Sequence, residues 1–224
     1  MNSIERVLLE PNKKFFSAIQ VIGLPGSRIL VAANGTGSME PQRGDIVFEG
    51  HKLGEVIGSG DESFFQEFAR IIAPIMNLAA DEKLFARNLR ILDWLEAIRQ
   101  IAPDICHWTG IYWKENFLKE TDSTDLLLGP FLGDSTDHLR IPLNRGFCGL
   151  ALSEERVVNV ADVRADTRHI ACSLKTRSEL VIPLANREGA FIAELDIDSN
   201  QLAAFSSDLE AKLRLTANAF KDLI

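Results

Sequence analysis

The sequence predicts an α+β domain in which an antiparallel β-sheet is flanked by helices, preceded by a small β-rich N-terminal extension. Three observations carry this. Apolar residues recur at helical spacing in two stretches before residue 102 and again near the C-terminus. Short β-branched and apolar runs fill the region between them, bounded by Gly, Pro, Asn and Asp. The resulting order of helix, helix, strands, loop, hairpin and helix is that of a mixed domain with an antiparallel sheet rather than of repeated βαβ units.

The elements follow in order. Residues 1–60 read as the extension, with strands at Lys14–Ile22, Arg28–Ala33, Asp45–Glu49 and Leu53–Ile57. Gly35-Thr36-Gly37 imitates a phosphate loop, but no Lys-Ser/Thr follows it, and it reads as a turn. The main domain, 61–224, opens with a capping box, Ser63 with Gln66, and a helix over 63–77. A second helix runs from Asp81 to Ile101 and ends before Pro103; Ile91 and Trp94 lie beyond its main apolar stripe and offer a face on which a homodimer could pair. Strands at His107–Trp113, Leu126–Leu128 and Leu139–Ile141 precede a short helix from Gly146 to Ser153 and a strand at Val157–Val160. A long loop over 161–177 leads to a hairpin, and Ser207 with Glu210 caps the C-terminal helix.

Composition narrows the function. A hydrophobic fraction of 46% and a charged fraction of 25% are those of a globular chain. The formal net charge of -8 and a pI near 5.1 argue against nucleic acid or an anionic membrane as partner, since either calls for a clustered basic face. No apolar run approaches a membrane span, and the N-terminus lacks the order of a secretory signal, so a cytoplasmic location is expected. Cys106, Cys148 and Cys172 lack the spacing of a disulfide scaffold or a zinc site, and the four histidines are scattered; no metal and no cofactor are assigned.

Chemistry concentrates between His169 and Ser199. The runs Ser178–Ala185 and Ala190–Asp198 flank Asn186-Arg187-Glu188-Gly189, a hairpin turn. If that turn closes a four-residue loop, Ala185 faces Ala190 and Glu179 falls directly opposite Asp196. Asp198 then lies two residues further along the same face. Three acids at one end of one sheet face repel one another, and the crowding raises at least one pKa enough to leave a proton donor near neutral pH. The plain alternative is a solvated strand end at which Arg177 neutralises Asp198.

From about Ala80 onward these elements resemble a GAF domain, and a series of short words resembles one branch of it, the free methionine-(R)-sulfoxide reductases. The words are Trp108-Thr109-Gly110-Ile111-Tyr112, Leu128-Gly129-Pro130-Phe131, Arg140-Ile141-Pro142, Arg145-Gly146-Phe147-Cys148-Gly149, His169-Ile170-Ala171-Cys172, Ser178-Glu179 and Leu195-Asp196-Ile197-Asp198-Ser199. The resemblance implies thiol-dependent reduction of free methionine sulfoxide, R epimer, with Cys172 as the nucleophile that passes through a sulfenic acid. It further implies that Glu179, Asp196 and Asp198 bind the substrate and that Glu179 and Asp198 deliver the proton. Trp108 and Tyr112 correspond to the aromatic wall against the substrate methyl and sulfur, although as strand residues they also read as ordinary core aromatics.

One position departs from the family's pattern. The resolving cysteine that usually precedes the Arg-Ile-Pro word is His138 here, and imidazole forms no disulfide. Cys148 is then the internal thiol expected to resolve Cys172, with Cys106 or an external thiol such as glutathione or thioredoxin as the other routes. A domain that kept the pocket but lost turnover would instead serve as a small-molecule sensor. A pocket for cyclic nucleotides or tetrapyrroles is disfavoured, because three acids repel phosphates and propionates.

Overall fold

The computed structural model describes residues 16–22, 42–78, 82–170 and 174–224, which form two compact units divided between Asp93 and Trp94. No helix among the described residues is long and apolar enough to cross a membrane.

In the first unit, β1 (Phe16–Ile22), β2 (Gln42–Phe48) and β3 (His51–Gly60) make an antiparallel sheet with β3 in the middle. The β2–β3 hairpin closes through Glu49 and Gly50, both with positive φ (48° and 79°), the geometry of a two-residue turn whose twist matches the strands. Helix α1 (Glu62–Asn77) packs Phe65, Phe68 and Ile72 among the buried residues of this unit, with Ile46, Phe48 and Val56. The unit therefore extends through α1 and beyond, whereas the sequence drew its boundary at residue 60. The helix is capped by Asp61, whose Oδ1 accepts from the Ser63 amide at 2.9 Å, and not by Ser63. An aspartate two residues earlier satisfies a free amide of the first turn, and Ser63 is left inside the helix. The predicted strand Arg28–Ala33 and the Gly35–Gly37 turn lie outside the described residues.

Helix α2 spans Glu82–Arg99. The second unit then runs β4 (Trp108–Lys114), α3 (Glu115–Leu118), β5 (Leu126–Leu132), β6 (Arg140–Ile141), α4 (Gly146–Ser153), β7 (Val158–Val160), β8 (Ser178–Ala185), β9 (Phe191–Ser199) and α5 (Ser207–Ala217). All pairings are antiparallel, in the order β6-β5-β4-β9-β8-β7. The single turn α3 and a 3₁₀ turn at Val163–Ala165, inside the predicted loop, were not legible in the periodicity. The C-terminal helix is capped by Ser206, which accepts from the Leu209 amide at 3.3 Å, one residue before the predicted cap.

Strand alternation divides the sheet into two unlike faces. Ile111, Trp113, Ala193, Leu195 and Ile197 point one way, and the Trp113 ring packs on Phe220, just after α5, at 5.4 Å. Trp94 packs at a tilt on the same Phe220, ring centres 5.6 Å apart, and donates its indole N–H to the Thr216 carbonyl. Both Trp94 and Ile91 are buried. Neither forms the exposed pairing face that the sequence suggested, because Trp94 is spent on the C-terminal helix. The opposite face carries Trp108, Gly110, Tyr112, Glu179, Glu194, Asp196 and Asp198. Helix α4 lies on that side, with Phe147 and Ala151 packed against Val158, Val163 and Val181.

Candidate functional site

The hairpin sets the site. The loop is tighter than a four-residue closure: the Asn186 amide donates to the Ala190 carbonyl at 2.9 Å, and Gly189 takes the left-handed conformation (φ 85°). An irregularity between Leu184 and Ala185 then shifts the register again, with Ala185 opposite Phe191 but Leu184 opposite Ala193. The two one-residue steps add to two. Glu179 therefore stands opposite Asp198, and Val181 stands opposite Asp196, in place of the predicted Glu179–Asp196 pair. A shift of two preserves the face, so the three acids still converge as expected.

A fourth acid joins them. Glu194 lies opposite Pro183 on β8 and opposite Tyr112 on β4, on the same face as Asp196 and Asp198. It is fully buried, and its one side-chain partner among the described residues is the thiol of Cys148, a weak donor. The signal for it was present: Glu194, Asp196 and Asp198 are spaced by two in a single strand.

The solvated strand end is ruled out by burial. Glu179, Asp196 and Asp198 are each at most 5% exposed. Burial, reinforced by the neighbouring Asp198, pushes Glu179 well above the usual carboxylate range. Burial does the same to Glu194, and to Asp196 with Asp198 adding to it. Asp198 rises to about 7, raised by burial and tempered by a hydrogen bond from Thr176. Arg177 does not neutralise it: the Arg177 backbone instead pairs with Ser199, amide to carbonyl, at 2.8 Å. All four acids are shifted toward the protonated form relative to exposed carboxylates.

The aromatic side of the site comes from β4 and β5. Gly110 lies between Trp108 and Tyr112, and a Cβ there would stand 2.4 Å from the Trp108 ring and 2.7 Å from the Phe131 Cβ. Glycine thus lets the indole lie flat across the strand. It stacks on Phe131 at 5.4 Å, with Tyr112 next at 6.4 Å. Tyr112 is fully buried and donates its hydroxyl to the His138 carbonyl at 2.9 Å. The imidazole of His138 is partly buried, and that burial lowers its pKa. Trp108 and Asp198 line a cavity of about 330 Å³ whose rim carries Asp134, Lys175 and Thr176; the Lys175 ammonium bonds Asp134 at 2.8 Å.

The thiols differ sharply. Cys148, on α4, sits over the acids with its Sγ 3.8 Å from Asp196 Oδ2, so the short helix at Gly146 exists where it can deliver a thiol to the sheet face. Its donor atom, one from Glu179 and one from Asp196 lie within 4.8 Å of one another, a group that could hold a metal ion although the sequence assigned none. Cys106 is buried and its thiol is pushed up to about 11 by that burial, which leaves it a poor nucleophile. Cys172 lies outside the described residues. The chain reaches that stretch from His169, which stacks on Phe147 at 5.9 Å and holds Nε2 3.8 Å from Glu179 Oε2, so His169 is a part of the site and not a surface loop residue. It leaves through Thr176, which bonds Asp198.

The chain is similar to known proteins. Over 106 residues the chain is 40% identical to the free methionine-R-sulfoxide reductase of Escherichia coli (strain K12); the match takes in 47% of this chain and spans 62% of that relative's length. The type II free methionine-R-sulfoxide reductase of Thermoplasma acidophilum superposes with a TM-score of 0.56 at 34% identity, over 64% of this chain and 94% of that one. The Neisseria meningitidis free methionine-R-sulfoxide reductase in complex with its substrate does so with a TM-score of 0.51 at 29% identity, over 74% and 93%. The sequence profile of the GAF domain matches residues 96–220, more than half of the chain, and with the six-stranded sheet and its helices this makes the chain a member of the GAF domain family.

Proposed function

We propose that this chain is a thiol-dependent oxidoreductase that reduces free L-methionine-(R)-sulfoxide to methionine. The observation that carries the reading is the buried cluster of Glu179, Asp196 and Asp198 under a thiol and beside the Trp108–Tyr112 wall. The relatives named above support the same substrate. A sulfoxide is a poor leaving-oxygen system unless that oxygen is protonated, and acids held neutral by burial are suited to the task. The same acids, once one of them ionises, attract the substrate ammonium. This selects the free amino acid over a residue in a peptide, whose nitrogen is uncharged.

In this reading the Cys172 thiolate attacks the sulfoxide sulfur, and Glu179 or Asp198 protonates the departing oxygen. The S–O bond breaks, the oxygen passes to the cysteine as a sulfenic acid, and methionine leaves with its sulfur reduced. Trp108 and Tyr112 hold the methyl and sulfur. The position that carries the family's usual resolving cysteine is His138 in this chain, so Cys148 takes that role. Its thiol displaces water from the sulfenic acid to form a Cys148–Cys172 disulfide, which thioredoxin or glutathione then reduces. The high pKa of Cys106 leaves it out of the cycle.

The test is consumption of free methionine-(R)-sulfoxide by purified protein with dithiothreitol, followed by chromatography of methionine. Turnover of the free R epimer, none of a peptide-bound sulfoxide, and abolition in Cys172→Ser are expected. Absence of turnover with excess chemical reductant overturns the reading.

A further inference from the structure

The inner end of the acid cluster carries a donor set of a second kind. Cys148 Sγ, a Glu179 oxygen and an Asp196 oxygen lie within 4.8 Å of one another, all on buried residues. Two features set this apart from a mere group of acids. One donor is a sulfur, delivered from a helix on the opposite wall. In addition, Oδ1 of Asp196, on a side chain 1% exposed, finds no hydrogen-bond partner among the described residues. Unpaired buried lone pairs of this sort are costly unless a ligand or a proton occupies them.

We propose that Cys148, Asp196 and Glu179 form a binding site for Zn²⁺. Around a tetrahedral zinc ion with a thiolate at about 2.3 Å and a carboxylate at about 2.0 Å, the two donors stand about 3.5 Å apart. Cys148 Sγ and Asp196 Oδ2 are 3.8 Å apart without the ion, so this pair closes on the metal by a few tenths of an ångström, while the Glu179 oxygen, within 4.8 Å of both, moves in by up to about 1.5 Å. The thiol decides the class of ion: a sulfur ligand favours zinc over magnesium or calcium, which take oxygen alone. Three protein donors leave a fourth position open, and His169 Nε2 stands 3.8 Å from Glu179 Oε2 beside the donor set. Because a thiol gives up its proton when its sulfur binds the ion, zinc uptake releases protons. A bound ion occupies the Cys148 sulfur and silences it as a nucleophile. The site rests on donor geometry and not on the reductase reading, and its test reads metal and thiol chemistry rather than turnover.

The test uses the full chain, reduced with a phosphine, stripped with a chelator and titrated with zinc chloride by calorimetry in two buffers of different protonation enthalpy. One equivalent bound with proton release is expected. Zinc should also protect Cys148 from iodoacetamide, read on the Cys148 peptide by mass spectrometry. Cys148→Ser and Asp196→Asn should each weaken binding about tenfold or more, and Asp222→Asn, on the exposed surface, should not. Absence of stoichiometric binding, equal affinity in both site variants, or alkylation of Cys148 at the metal-free rate in saturating zinc each overturns the proposal. The alkylation arm uses the unmodified protein, so it decides even if a site variant fails to fold.

Discussion

Glu179 and Asp198 face each other directly across the β8–β9 ladder, both about 5% exposed, with His169 at the outer side of one and Thr176 bonded to the other. Opposed carboxylates destabilise a strand pair, and they persist here because burial keeps them protonated. If either acid supplies the proton to the sulfoxide oxygen, Glu179→Gln and Asp198→Asn should each lower kcat/KM by about 10²–10⁴-fold while the fold is retained. Steady-state kinetics with free methionine-(R)-sulfoxide, alongside circular dichroism, reads this; a loss below threefold in both would remove them from proton delivery.

How much of this pair was legible in the sequence turns on backbone detail. Alternation placed Glu179, Asp196 and Asp198 on one face, since period two is fixed by strand geometry whatever the register. The register itself was off by two, because neither the left-handed Gly189 closure nor the irregularity at Ala185 has a signature beyond the turn residues. Cys148 was expected as the resolving thiol because His138 takes the usual cysteine's place, yet its approach to Asp196 depends on how α4 docks, which no local pattern encodes. Glu194 was visible in the period and was passed over, since a single acid among Ala193 and Leu195 looks like a surface position until the strand is known to be buried on both faces.

Stability should fall as pH rises through neutrality. Asp198 in the folded chain titrates at about 7, against an ordinary value of 3.8. Between those values the folded state holds a proton that the unfolded state has released. The contribution is therefore complete below about pH 4 and is lost as pH climbs through 7. Glu179, Glu194 and Asp196 shift in the same direction. Calorimetric Tm should be higher at pH 5.5 than at pH 8.5, and Asp198→Asn should flatten that slope. A slope of the opposite sign in the wild type would show that the cluster is ionised in the folded state.

Gly110→Ala tests the aromatic wall. The added methyl meets the Trp108 ring at 2.4 Å and the Phe131 Cβ at 2.7 Å, closer than any real contact, so the indole must leave its place across the strand. Overpacking of this kind costs about 1–3 kcal/mol. The expected outcome is a lower Tm, a change in tryptophan emission as Trp108 is displaced, and a rise in KM that exceeds the fall in kcat. An unchanged KM would mean that the wall does not touch the substrate.

Tyr112→Phe isolates the hydroxyl bond to the His138 carbonyl at 2.9 Å. The ring stays and one part-buried hydrogen bond is lost, so unfolding free energy should drop by about 1 kcal/mol. Because that bond ties β4 to the segment preceding β6, hydrogen exchange of the Leu139 and Arg140 amides should quicken in the variant. Unaltered exchange there would show that β6 is held without it.

Glu194→Met separates a burden from a function. The native carboxyl is fully buried with only the weak thiol donor of Cys148 as a side-chain partner among the described residues, an arrangement that costs about 1–3 kcal/mol relative to an apolar group of similar volume. If Glu194 only burdens the fold, the variant should gain stability by that amount in urea denaturation, with activity intact. If Glu194 shares the site's protons with Asp196, two residues along the same face, the stability gain should come with a loss of reductase activity, and Glu194→Gln should restore less than half of it. A variant that is less stable than the wild type would show that Glu194 has a partner in solution and that its burial is satisfied.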